Sequence, residues 1–268
     1  NEPCVIPTEA KVNLVDELVA AGLREIEVGS FVRPDLIPQL ADTRAVLDGI
    51  HRSPDVLYSV LVPNERGLHG ALEAGVDKIA VFTSASEGFA RANVNATIDE
   101  TIERFRPVTD QAHVAGLPVR GYVSCVVRCP YDGVVTPEQV RAVCGKLLEI
   151  GVDEIDLGDT IGVAVPSDIE AMLDGLDGLL RPDQVVLHLH DTSGTAVDCA
   201  RRGIELGVRR FDASCGGFGG CPFAPGSAGN LSTEDLLDLC REEGRVTGVD
   251  SEAVARASRA VRERLSAP

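Results

Sequence analysis

The sequence predicts an α/β fold: a (β/α)8 barrel, the TIM-barrel architecture, with its first strand absent from the 268 residues. Three observations carry that prediction. Short β-branched runs alternate with longer amphipathic segments in a unit of about 30 residues. Helical segments close on glycine and hand over to a strand two or three residues later, in GLREIEV, GVDKIAV, GVDEIDL and GVRRFDA, which start at Gly22, Gly75, Gly151 and Gly207. No glycine-rich phosphate loop follows the first visible strand, where a doubly wound sheet carries one; GSFVRPD stands there instead. Strands this apolar on both faces belong in a parallel sheet covered by helices.

In chain order, a helix from about Thr8 to Ala21 precedes the strand Arg24–Phe31 (REIEVGSF). Val56–Pro63 (VLYSVLVP) is the next strand, followed by a helix from Asn64 to the Ala74-Gly75 pair. Lys78–Ser84 (KIAVFTS), a helix over Thr97–Ala115 and Val119–Val126 (VRGYVSCV) continue the alternation. The remaining strands are Glu154–Thr160, Val185–Thr192 and Arg209–Cys215, with helical patterns at Pro137–Ile150, Ser167–Leu180 and Gly194–Leu206. Two more helices follow, Ser232–Glu243 and Ser251–Leu265. That makes seven strands, where a closed barrel has eight in about 250 residues. Residues 1–268 are read as one catalytic barrel domain, with C-terminal helices from about residue 232.

Composition narrows the functions. With 25 Lys and Arg against 42 Asp and Glu, the net charge of −17 repels phosphate over most of the surface. A sequence-independent nucleic-acid binder is excluded on that ground, and an anionic substrate needs a local positive site. No stretch approaches the ~18 apolar residues of a membrane helix. Eight Cys are too dilute for a disulfide scaffold, so a reducing, cytoplasmic compartment is expected. The start, Asn-Glu-Pro-Cys, has neither the basic residues nor the apolar stretch of a signal peptide.

In a barrel of this kind active sites form at the carboxyl ends of the strands. The polar residues there are Glu27, Ser30, Ser84, Ser124, Cys125, Asp159, Thr160, His188, His190 and Ser214. Residues two apart on a strand share a face, so His188 and His190 stand side by side, either as a metal half-site or as a hydrogen-bonded pair without metal. The segment after the last strand, CGGFGGCPFAPGSAGN over residues 215–230, is glycine in six of sixteen positions. Cys221 sits inside it, exposed enough to react if it is more than a small loop residue, and Asn230 closes it. Phosphate cradling is the other use of such glycines, but the P-loop spacing and its Lys are missing. Cys125 and Cys129 are a redox pair or, more simply, strand-end packing. His51, His69 and His113 fall in or beside helices and read as surface residues. Arg33, Arg91 and Arg128 follow strand ends and are candidate partners for phosphate.

His188-Leu-His-Asp-Thr, Gly158-Asp-Thr-Ile-Gly, Arg120-Gly-Tyr-Val-Ser-Cys with Cys129-Pro-Tyr, and Gly217-Phe-Gly-Gly-Cys-Pro-Phe-Ala with Gly229-Asn-Leu together resemble the 3-hydroxy-3-methylglutaryl-CoA lyase family. This is the lyase branch of the metal-dependent aldol/Claisen barrels, and the resemblance runs end to end. The cysteine loop is its most specific element, because the synthase relatives are built without it. The resemblance implies retro-Claisen cleavage of 3-hydroxy-3-methylglutaryl-CoA to acetyl-CoA and acetoacetate, with Mg²⁺ or Mn²⁺ held by His188, His190 and Asn230. It makes Cys221 the acid that protonates the enolate, Asp159 or His188 the base, and Glu27 a carboxylate that orients a first-strand arginine. Arg120, Tyr122, Thr160 and Ser30 become candidate substrate contacts. An acyl-CoA substrate and a homodimer follow by family analogy, with no nucleic acid or membrane partner.

One departure stands out. The family's first strand ends in an Arg-Asp-Gly-Leu-Gln run just before the Asn-Glu matching Asn1-Glu2, its Arg serving the enolate oxygen and its Asp the metal. The expectation is that the natural protein carries both residues upstream, and that a chain starting at Asn1 is inactive, with an open barrel edge. The competing functions are a lyase for a longer-branched 3-hydroxyglutaryl-CoA, a synthase condensing acetyl-CoA with a 2-oxo acid, and a non-catalytic metal or acyl-CoA binder.

Overall fold

A computed structural model of the chain describes residues 5–220 and 229–265. Helix α1 (Thr8–Ala20) leads into β1 (Glu25–Ser30), α2 (Thr43–Gly49), β2 (Leu57–Leu61), α3 (Glu65–Ala74) and β3 (Lys78–Ser84). Then come α4 (Glu87–Val94), α5 (Ile98–Val114), β4 (Val119–Ser124), a short hairpin of β5 (Arg128–Cys129) and β6 (Gly133–Val134), and α6 (Pro137–Glu149). The chain continues through β7 (Glu154–Asp159), α7 (Pro166–Gly175), β8 (Val185–Leu189), α8 (Ala196–Leu206), β9 (Arg210–Asp212), α9 (Thr233–Glu242) and α10 (Ser251–Leu265). Seven strands form one sheet in the order β1-β2-β3-β4-β7-β8-β9, and every neighbouring pair is parallel.

Side-chain contacts show that this sheet is curled. If flat, β1 and β9 would lie six spacings apart, roughly 29 Å at about 4.8 Å each. Instead the Tyr122 hydroxyl of β4 donates to Glu27 of β1 at 2.8 Å and stands 3.5 Å from Asp212 of β9. A middle strand touches both edges only when the sheet wraps into a barrel wall. Each predicted strand is part of that wall; among the described residues no ladder joins β1 to β9. Outside the wall, Ile79, Val81, Val123, Ile155, Leu157 and Leu187 are fully buried in one core with Leu68, Phe105, Leu147 and Ile169 of the helices. A second, smaller cluster of Ala21, Cys215, Leu237, Val254 and Ala257 seats α9 and α10 near the end of α1.

Local chemistry sets most boundaries. Thr97 caps α5 with a reciprocal capping box to Glu100, and Asn64 caps α3 through Gly67 N–H. Lys78–Ser84 keeps its predicted bounds, and the other strands run shorter than the sequence predicted. β8 stops at Leu189 rather than Thr192, because His190 leaves the ladder and pairs with Asn230 in an isolated antiparallel bridge. β9 stops at Asp212 rather than Cys215, since Ser214 pairs with Ser232 and residues 215–217 turn into a 3₁₀ segment. Two short helices, α2 and α4, and the β5–β6 hairpin were not expected: at seven, eight and two residues they hold too little periodicity to register. Gly29, at a bulge in β1, lets α2 approach so closely that a Cβ there would meet Thr43 Oγ1 at 2.5 Å.

Inside the wall, the strand beginnings carry charge rather than aliphatic layers. Lys78 of β3 donates to Glu25 of β1 at 2.8 Å and also to Glu154 of β7. Arg120 of β4 reaches Glu154 at 2.5 Å, Glu25 at 2.8 Å and Asp212 at 3.0 Å, and Arg210 of β9 adds a further pair to Glu154. Removing one member of such a buried set leaves its partners uncompensated. Arg120→Leu should therefore cost about 3–5 kcal/mol of stability, read as a fall in the urea unfolding midpoint. An unchanged midpoint would mean that this network does not support the barrel.

Candidate active site

A cavity of about 850 Å³ opens at the carboxyl ends of the strands, lined by Glu27, Tyr122, Ser124, Asp156, Gly158, Thr160, His188, His190, Gly220 and Asn230 among others. Its volume suits a sizeable ligand. Arg33 and Arg104 also line it, beside Asn64, Asn93 and Asn95. Arg104 supplies local positive charge of the kind an acidic chain needs to take an anion, and Arg33, paired with Asp35, adds to it by leaving that carboxylate.

His188 is the hub. Its Nε2 stands 3.0 Å from Asn230 Oδ1 and its Nδ1 3.4 Å from Asp212 Oδ2. Both ring nitrogens thus face oxygens, an arrangement that suits a protonated ring. Burial opposes that charge, but the hydrogen bond to Asp212 and its negative charge outweigh it and hold the imidazole above its ordinary pKa. Asp212 responds in the opposite sense: burial would raise its carboxyl, yet His188 and Arg120 hold it well below the usual range.

His190 lies beside His188, with ring centroids 5.2 Å apart. Its Nδ1 donates to the Asp159 carbonyl at 3.1 Å, which fixes the tautomer and leaves Nε2 free. Burial first, and then the neighbouring His188 charge, push it down to about 4, so it is neutral at pH 7 and has no proton to lose before ligating.

Asp156, on the same face of β7 as Glu154, is fully buried, and neither of its carboxylate oxygens has a hydrogen-bond partner. Burial, and then the Asp212 charge, drive its carboxyl well above the usual range. Ligand atoms of Asp156, His188 and Asp212 lie within 4.8 Å of one another, a group that could hold a metal ion. An orphaned carboxylate, two imidazoles and a carboxamide, with no thiolate among them, fit a divalent ion that prefers oxygen and nitrogen. Sequence reading passed over Asp156 and Asp212. The signal was present in the alternation Glu154, Asp156, Gly158, which puts two carboxylates on the inner face of one strand.

The other anticipated residues divide between the cavity and its supports. Glu27, Tyr122 and Thr160 line it; Thr160 Oγ1 also accepts the Cys125 N–H at 2.8 Å. Glu27 accepts from Tyr122, while the first-strand arginine expected as its partner falls outside residues 1–268. Arg120 and Ser30 do not line the cavity: Arg120 is engaged by the acids beneath it, and buried Ser30 donates to the Leu61 carbonyl. Asp159 faces away too, its carboxylate accepting the Ala164 N–H at 2.8 Å. Cys221 lies outside the described residues; Gly220, just before it, lines the cavity. Cys125 and Cys129 are buried, the latter accepting from Ser86 Oγ at 2.8 Å, so packing describes them. His51, His69 and His113 are exposed and each faces a carboxylate, Asp16, Glu73 and Asp153. Of the anticipated arginines only Arg33 lines the cavity; Arg104, on α5, was missed because it sits in a helix.

A model of the HMGL-like family matches residues 2–261 of the chain. The sequence is 47% identical over 250 residues to a cytoplasmic 3-hydroxy-3-methylglutaryl-CoA lyase of Danio rerio, spanning 93% of this chain and 75% of that one. The crystal structure of an HMG-CoA lyase from Brucella melitensis superposes with a TM-score of 0.96 at 47% identity, covering 100% of this chain and 94% of the other. An HMG-CoA lyase from Acinetobacter baumannii, solved with coenzyme A and 3-methylmalate, gives 0.94 at 36% identity over 98% and 86% of the two chains.

Two outcomes follow from the electrostatics of the metal-free site. Asp212→Asn removes the partner that raises His188, so the midpoint of its ring-proton NMR titration should move down; an unmoved midpoint would discard Asp212 as the cause. His190 is held below its unfolded value of about 6.5, so the unfolded chain takes up its proton first as pH falls. Its contribution to stability is complete above about pH 6.5 and is lost as pH drops through about 4. His190→Asn should flatten that part of the pH dependence of thermal unfolding.

Proposed function

The chain belongs to the HMGL-like family, and from that premise we propose that it cleaves 3-hydroxy-3-methylglutaryl-CoA to acetyl-CoA and acetoacetate, working in the cytoplasm. The observation that carries the reading is the meeting of His188, His190 and Asn230 on one wall of a cavity that also holds Glu27, Tyr122 and two arginines. The reading treats residues 1–268 as a single catalytic barrel unit and the working form as a homodimer.

His188, His190 and Asn230 would hold Mg²⁺ or Mn²⁺, with Asp212 behind His188 as the carboxylate that orients a ligating imidazole. Bound there, a divalent ion supplies charge that lowers the pKa of a hydroxyl it touches and fixes its orientation. The rest falls to the chain. Arg33 and Arg104 hold the anionic end of the acyl-CoA against the overall negative field. Thr160 and Tyr122 contact the acyl portion, and Tyr122 keeps the Glu27 carboxylate turned into the cavity. The tertiary hydroxyl gives its proton to His188 or to Asp159, which must first turn from the Ala164 N–H. The carbon–carbon bond then breaks: one fragment leaves as the ketone of acetoacetate, and the electron pair passes to the enolate of acetyl-CoA. Cys221 returns a proton to that enolate carbon, a thiol being close enough in pKa to do so near neutrality.

The test is release of acetyl-CoA from 3-hydroxy-3-methylglutaryl-CoA by the full-length protein, with and without Mn²⁺ or Mg²⁺. Release only with metal is expected; no release, or uptake of acetyl-CoA with a 2-oxo acid, would overturn the reading. Cys221→Ser should lower kcat roughly 10²–10⁴-fold with Mn²⁺ affinity unchanged. Asp159→Asn should lower kcat with Mn²⁺ binding unchanged if Asp159 is the base; an unchanged kcat leaves the role to His188.

A further inference from the structure

The carboxamide of Asn230 has an oxygen and a nitrogen of nearly equal size, and only the oxygen can ligate a cation. What decides which one faces His188 is the partner at the other end of the group. That partner is the Phe218 carbonyl, which accepts from Asn230 Nδ2 at 2.9 Å. A carbonyl can only accept, so it selects the nitrogen and turns Oδ1 toward His188 Nε2, 3.0 Å away.

The backbone that presents Phe218 needs holding. Gly216 and Gly217 both have φ of +69°, in the left-handed region that glycine adopts freely and as freely leaves. The hold comes from the C-terminal helices. Arg262 of α10 donates from Nη2 to the Gly216 carbonyl at 3.0 Å, and its guanidinium lies over the Phe218 ring, 5.3 Å from the centroid. Glu234 of α9 accepts the Gly216 N–H at 2.9 Å. A Cβ on Gly216 would meet Ser258 of α10 at 2.5 Å, so the stem is pressed against the helix. Across the stem, a Cβ on Gly229 would meet the Gly217 carbonyl at 2.0 Å, which ties the position of residue 230 to that of residue 217.

We propose that Arg262 is a positioning residue for the metal site: by clamping Gly216 and Phe218 it sets the orientation of the Asn230 carboxamide, with the oxygen toward His188. The inference rests on Asn230 being a ligand. It gives the last helix, more than thirty residues further along the chain, a part in cation binding.

Mn²⁺ alone is the probe, with free Mn²⁺ counted by electron paramagnetic resonance, and circular dichroism melting confirms that each variant is folded. Arg262→Ala should weaken Mn²⁺ binding roughly five- to tenfold, and Arg262→Lys, which keeps a donor for the Gly216 carbonyl, should restore part of it. The decisive arm is the Asn230→Asp background. A carboxylate has two equivalent oxygens and no orientation to lose, so there Arg262→Ala should leave Mn²⁺ affinity unchanged. Equal weakening in both backgrounds, or no weakening with Asn230 present, overturns the role of Arg262 while leaving Asn230 as a ligand. Asn230→Ala binding as tightly as the parent protein overturns the ligand reading and this one with it. If Arg262→Ala does not fold, Arg262→Gln in the same two backgrounds decides the matter in the same way.

Discussion

Asp212 is the carboxylate around which the interior is arranged. It lies between the Arg120 guanidinium at 3.0 Å and the His188 imidazole at 3.4 Å. Charges taken out of water are tolerated only when paired, and a strand pairs them only if it brings partners from across the barrel. Arg120 does so, joining β4 to β1, β7 and β9. The same contacts that keep the wall curled therefore aim the hub histidine of the site. Stability and ligand geometry share one set of ion pairs.

Above that floor the balance of charge changes. Asp156 has no hydrogen-bond partner, and both nitrogens of His188 already face oxygen. Acidic groups thus crowd the centre of the site, with the Arg120 guanidinium 3.9 Å from Asp156. That crowding is buried, where electrostatic interactions are least screened. It is consistent with a site built for a divalent ion beside an anionic ligand, and with a cavity wall that adds Arg33 and Arg104.

The rim is organised by backbone rather than by side-chain bulk. The Leu231 N–H donates to the Leu189 carbonyl, and Ser214 N–H to the Leu231 carbonyl, so the segment carrying Asn230 is threaded between the ends of β8 and β9. Glycines allow the two stems to come within backbone contact, and α9 and α10 press on them from outside. A helix far from the chemistry in sequence is adjacent to it in space.

Much of this was legible in the residues themselves. Glycine-terminated helices and doubly apolar strands determined the parallel βα architecture, because cap geometry and burial on two faces are local demands that each segment meets alone. The spacing of His188 and His190 determined that they share a face, since a strand repeats every two residues. The HxH pair, the glycine loop and its closing asparagine marked the family. Tertiary structure alone decided the rest. The resemblance makes Arg120 a candidate substrate contact, but it becomes a floor residue because Glu25 and Asp212 from distant strands join Glu154 of the neighbouring strand around it. Asp156 and Asp212 look like ordinary strand residues until the parallel pairing sets β7 and β9 on either side of His188, with Asp212 as its register partner. Asp159 turns to the Ala164 N–H, a choice made by the following turn and not by its strand. Periodicity and capping act over one or two helical turns, whereas buried charges are settled by whichever partners the curled wall places opposite them.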